Sequence, residues 1–210
     1  MIHIREDKQK ALARTVGLGT LLCAVTISVG AESQSKVLTF VGDATLTYAS
    51  YVFLLPRSNW TPGVSRMDLT HQRGIWRARH RASEVYIQVV PTKKEPGQKT
   101  LADFARVGGE QIVEQGGCSA EALRKNALFK PKLGYSYEVY SLSDCPQGTY
   151  GVIVFAELPE HVITFNLYGK GKDDTSLDPY LQDFEEVIAS FRWTLGLSDE
   201  EIAATLKTLE

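Results

Sequence analysis

The chain has 210 residues, 43% of them hydrophobic, and carries 23 Lys and Arg against 25 Asp and Glu for a net charge of −2. Such a balance gives no global field for holding nucleic acid. One domain with a proper buried core is the default, since domains typically hold about 100 to 150 residues.

The first 31 residues differ from the rest. A charged stretch with Arg5, Lys8, Lys10 and Arg14 gives way to an uncharged, mostly apolar run from Thr15 to Val29, then Gly30 and Ala31. This is the pattern of a secretory signal peptide, with Val29 and Ala31 as the small residues a signal peptidase accepts, so cleavage is expected between Ala31 and Glu32. The alternative, an uncleaved anchor, is opposed by the apolar run itself, which has 15 residues where a spanning helix needs about 20. A lipid anchor at Cys23 is opposed by bulky Leu22. Cleavage removes four basic and two acidic side chains, so the counts fall from 23 and 25 to 19 and 23 and the net charge from −2 to −4. The mature chain is expected in the periplasm or medium, and not as an integral membrane protein. Nucleic acid is an unsuitable partner there.

Residues 32–195 read as the single domain. VLTF and ATLTYASYVFLLP are two strand-like runs with a turn at Gly42 and Asp43, the second ended by Pro56. RSNWTPG is a loop with Trp60 as a lid over the core edge, and Asn59, Trp60 and Thr61 form a glycosylation sequon. MDLT, IWRARHRA and EVYIQVVP follow as short strands in antiparallel pairing. TLADFARVGGEQIVEQGG is a helix: Thr100 caps it, Asp103 can reach back, and Gly116 with Gly117 ends it. Leu101, Phe104, Gly108 and Ile112 line one face. Gly108 suggests close approach to a sheet, while Gly109 weakens the helix.

Three alternating runs, LGYSYEVYSL, TYGVIVFAEL and HVITFNLYG, make an antiparallel meander joined by short turns. Asp178 then caps a helix with Pro179 in its first turn. Its stripe of Leu177, Tyr180, Leu181, Phe184, Val187, Ile188 and Phe191 must lie on a sheet. Residues 196–210 form a short helical tail, opened by Ser198 and Glu201 as a capping box and carrying Ile202, Leu206 and Leu209. The fold class is therefore α+β, a central antiparallel sheet flanked by helices in α/β/α layers.

Two cysteines survive cleavage, Cys118 and Cys145, and an even count in an exported chain favours a disulfide over two reduced buried thiols. It would stabilise the fold by roughly 3 kcal/mol on the chain-entropy model.

The element order, with Pro56 and Trp60 in LPRSNW, the passage QVVPTKKEPGQKTLADFA, Tyr168 with Gly169, and the closing FEEVIASFRW, resembles the PsbP and Mog1-like fold over roughly residues 45–193. The chain looks like a divergent exported bacterial member. The resemblance implies a non-enzymatic domain of the kind found among assembly factors, envelope accessory proteins and lipid carriers. The cysteine pair and the residues after Leu195 depart from it, and no functional residue carries over.

Catalytic motifs are sparse. There is no G-x-S-x-G, H-E-x-x-H or paired C-x-x-C, and GKGKDDTS at 169–176 lacks the phosphate-loop spacing. Nothing calls for a cofactor. His161 with Glu160 and Glu157 is a weak metal or acid–base candidate, set against a solvated hairpin tip. Asp173, Asp174 and Asp178 lack EF-hand spacing and suit a helix start.

The sharper candidate is a basic row. On one strand Arg77, Arg79 and Arg81 would share a face, Arg66 and Arg73 could extend it, and guanidinium offers planar paired donors to phosphate or carboxylate. It suits docking to an acidic envelope protein or anionic lipid headgroups, against the plain reading of a solvated sheet face. The alternatives are a small apolar-ligand carrier using a gap between the 100–116 helix and the sheet, and an unfamiliar secreted hydrolase centred on His161 and Glu157.

Overall fold

The computed structural model describes residues 23–27, 36–42, 50–56, 59–62, 66–68, 73–94, 97, 100–146, 148–170 and 176–209. The expected cleavage point at Ala31 and Glu32, and Asp173 and Asp174, lie outside them. The described residues make two antiparallel sheets. One runs β1 (Cys23–Ile27), β2 (Lys36–Gly42), β3 (Ser50–Pro56) and β12 (Arg192–Trp193). The other runs β4 (Trp60–Pro62), β6 (Arg73–His80), β7 (Val85–Lys93), β11 (His161–Lys170), β10 (Thr149–Glu157), β9 (Tyr137–Leu142) and β8 (Leu123–Lys125), with β5 (Arg66–Asp68) also pairing β6. The helices are α1 (Leu101–Gln115), α2 (Asp178–Ser190) and α3 (Asp199–Lys207).

The fold is α+β with antiparallel sheets and flanking helices, and the single sheet expected from the sequence divides in two. The division follows from β3, which buries Tyr51, Val52, Phe53 and Leu55 and so cannot present a wet face at a sheet edge. It lies face-on against the large sheet instead, with Phe53 and Trp76 meeting edge to face at 4.6 Å between ring centres. Trp60 is likewise no surface lid. It sits in β4, fully buried, and its indole N–H donates to Asp183 on α2 at 2.7 Å.

Alternation in β7 orients the large sheet. Val85, Ile87, Val89 and Pro91 are buried on the inner face, while Tyr86, Gln88, Val90 and Thr92 are half-buried on the outer one. Register carries this across the strands: Arg77 stands opposite Gln88, Gln88 opposite Asn166, and Asn166 opposite Ile153. A slip of one residue would exchange the faces.

The inner face holds the main core. α2 brings Phe184, Val187 and Ile188, and Phe191 follows them, with Phe191 edge-on to Phe165 at 5.1 Å and Phe184 stacked on Phe129 at 5.8 Å. Leu177, not Asp178, is the N-cap residue of α2. Asp178 is the first helical residue, and its N–H donates to the Ser176 hydroxyl at 3.3 Å.

The outer face carries α1, capped by the Thr100 hydroxyl accepting from the Asp103 N–H at 3.0 Å and ended at Gly116. Its most buried line is Ala105, Gly109 and Val113, one position round from the stripe read in the sequence. Ala105 and Val113 pack with Leu142, Ile153, Phe155 and Val162. The Cys118–Cys145 disulfide forms, with Cα atoms 4.6 Å apart, and ties the end of α1 to the loop between β9 and β10.

α3 has the full Ser198–Glu201 capping box and buries no residue. β1 comes from the apolar run taken as the leader and pairs β2 from Cys23 opposite Gly42 to Ile27 opposite Leu38. It is an edge strand, so its loss would leave the β2–β3 ladder intact.

Candidate functional site

The odd positions of β6 do face outward as the alternation predicts. Arg77 and Arg79 are exposed, Trp76 and Ala78 are buried, and His80 is half-buried with them. Arg81 departs from the row. β6 ends at His80 because the chain turns at residues 81–84, where the Arg81 N–H donates to the Asn59 carbonyl, so Arg81 is an exposed turn residue. The backbone register pairs Arg66 with Ile75 and Arg73 with Thr92.

Arg77 is the best-placed cation. Its guanidinium carbon lies 5.3 Å from the centre of the Tyr86 ring, and its Nη1 donates to the Tyr168 hydroxyl at 3.4 Å. Tyr86 and Tyr168 stack on each other with centres 5.2 Å apart. The bond to Tyr168 raises the Arg77 pKa further, so the group stays charged. Arg79 forms an ion pair with Glu84, whose other carboxylate oxygen accepts from the Tyr86 hydroxyl at 2.5 Å. That hydrogen bond raises the Tyr86 pKa. Exposed pairs of this kind contribute about 0 to 1 kcal/mol, so the value of the cluster lies in orientation.

His161 corrects the sequence reading. It is 4% exposed, not a solvated tip, and its ring lies 4.7 Å from Trp193. Glu157 is taken by Lys94 at 2.6 Å. Among the described residues no three His, Cys, Asp or Glu side chains come together as a metal site, Glu160 included.

Two features go beyond the sequence reading, one missed there and one placed without its polar lining. One is local: the Ala82 N–H donates to His80 Nδ1 at 3.4 Å, which makes that nitrogen an acceptor, and the Ser83 hydroxyl lies 2.9 Å from it. Burial lowers the His80 pKa, and Asp183 opposes the shift. With Trp60 and Tyr180 packed around the ring, the group joins the 81–84 turn to α2.

The other is a cleft between α1 and the outer sheet face. Its floor is Gln88, Thr164 and Asn166, and its wall is Phe104, Gly108 and Ile112, the very stripe the sequence assigned to α1. Asn166 and Thr164 are each only 7% exposed. The signal was legible in HVITFNLYG, where polar side chains at 164 and 166 interrupt a strand that is otherwise buried on both faces, because a buried polar group is more informative than an exposed apolar one. Among the described residues no helix is long and apolar enough to cross a membrane.

No family model matches the chain, and no curated protein does. Among solved structures, it is similar to the solution structure of cyanobacterial PsbP (CyanoP) from Synechocystis sp. PCC 6803. The two are 17% identical with a TM-score of 0.45, over 79% of this chain and 97% of that one.

Proposed function

We propose that the chain is a non-catalytic binding module that works outside the cytoplasm and docks an acidic partner protein of the cell envelope through the corner formed by β6, β7 and the 81–84 turn. The observation that carries the reading is the exposed Arg77 guanidinium, held over Tyr86 and bonded to Tyr168 before any partner arrives. A cation already ordered loses less side-chain entropy on binding, and its planar donors match a carboxylate. Glu84 offsets Arg79, so Arg77 and the exposed Arg81 supply the net positive charge of the corner. The charged stretch followed by the apolar run from Thr15 to Val29, read as a leader, is what supports the extracytoplasmic part of this reading.

Retention on immobilised polyglutamate, weakening as salt rises, tests the reading. The double variant Arg77→Glu with Arg79→Glu should keep the circular dichroism spectrum and melting temperature while binding about tenfold more weakly, a loss of ~1.4 kcal/mol. Equal retention of the two proteins would overturn it. Binding to phosphatidylglycerol vesicles in place of polyglutamate would move the reading to a headgroup surface.

A further inference from the structure

We infer that the cleft between α1 and the outer face of the large sheet binds a short neutral saccharide. The cleft consists of two adjoining hollows of about 140 and 280 Å³ that share Gln88, Ile112, Gln115 and Asn166. An apolar cavity of roughly 150 Å³ takes one benzene-sized ring, so the two hollows have room for a sugar of one or two rings.

The chemistry of the walls selects the ligand. The polar surface comes from the amides of Gln88, Gln111, Gln115 and Asn166 and the hydroxyls of Thr92, Thr149 and Thr164. Every one of these groups both donates and accepts, as a sugar hydroxyl does. Among the described residues no carboxylate lines either hollow, and the one charged lining residue is the exposed Lys170. An amine or a metal ion would find no counter-charge there, and a phosphate would find one solvated cation.

The cleft also bears on the apolar carrier considered from the sequence, and its lining favours a polar ligand over it. The gap stands where that reading put it, but an acyl chain would leave Gln88, Thr164 and Asn166 desolvated and unpaired, at about 1–3 kcal/mol for each group. Asn166 and Thr164 are more than nine-tenths buried and form no side-chain hydrogen bond with another described residue, so their bonding capacity is directed into the cleft. Phe104 at one end, backed by buried Phe155, and Tyr168 at the other give the C–H face of a pyranose an apolar surface. The inference goes beyond the docking reading and shares no residue with the variants that test it.

The test is a titration of the purified full chain with N,N′-diacetylchitobiose and with cellobiose, followed by nuclear magnetic resonance of the Asn and Gln side-chain amides. At least one saccharide should shift Gln88 and Asn166, with a Kd of about 1 mM or tighter. Asn166→Leu and the half-exposed Gln88→Leu should each weaken that binding about tenfold, ~1.4 kcal/mol, and the second keeps the test open if the first misfolds. Absence of shifts with both sugars, shifts confined to residues outside the cleft, or affinity unchanged in a folded Gln88→Leu variant would overturn the inference. So would retention of dodecanoate in the cleft in place of either sugar.

Discussion

The two faces of the large sheet are built from the same strands and finished in opposite ways. On the inner side α2, β3 and β12 close over the sheet with aromatic side chains, and Phe53, Phe165, Phe184 and Phe191 are within 2% of complete burial. On the outer side α1 touches β9 and β10, the outer residues of β7 stay half-buried, and the helix is fastened at its end by a disulfide. Alternation along each strand thus feeds one face that supplies stability and another that remains open to ligands.

The hardest way to break this contrast is to empty a site on each side. Phe184→Ala should cost about 3–5 kcal/mol in urea unfolding, as large-to-small changes in a closed core do, while Ile112→Ala beside the cleft should cost about 1 kcal/mol. Equal losses would mean that the outer face is as tightly packed as the inner. Next in size is the tether. Reduction of Cys118–Cys145, whose partners are 27 positions apart, should remove about 3 kcal/mol and lower the melting temperature. Identical melts with and without reductant would deny the disulfide its structural part.

The smallest effect is expected at the rim of the inner face, from His80. Burial lowers its pKa in the folded state, so its neutral form contributes stability that is fully present above the ordinary imidazole value. That contribution is lost as pH falls through the lower folded value, where a proton on Nδ1 would displace the Ala82 N–H and leave the Ser83 hydroxyl to turn from donor to acceptor. Between about pH 8 and pH 5 the melting temperature of the unaltered chain should fall more than that of His80→Gln. Parallel curves would show that the imidazole does not contribute.

Much of the architecture was legible because period-two alternation and helix caps are local signals. Thr100, Gly116 and the Ser198–Glu201 box mark helix ends that the structure reproduces, and the stripe from Tyr180 to Phe191 falls on the core. The second sheet was not legible, since a strand buried on both faces reads the same whether it sits inside one sheet or against another. The basic row was readable as far as Arg79 and failed at Arg81, where a turn ends the alternation. The cleft needed knowledge of which face α1 covers, and that depends on contacts between residues far apart in the chain. The same gap explains His161, whose Trp193 neighbour is thirty-two positions away.

Gly108 and Gly109 lie at the middle of α1, where each lowers helix propensity by about 1 kcal/mol relative to alanine. A Cβ at Gly108 would stand 3.1 Å from the Phe155 ring, and one at Gly109 would push the end of the Leu123 side chain aside, so the helix seats closely at both. A segment assembled this way has little cohesion of its own and borrows its order from the surface beneath. Amide hydrogens along α1 should therefore exchange with solvent in brief partial openings while those of α2 stay protected until the whole molecule unfolds. The wall of the cleft is its most yielding part.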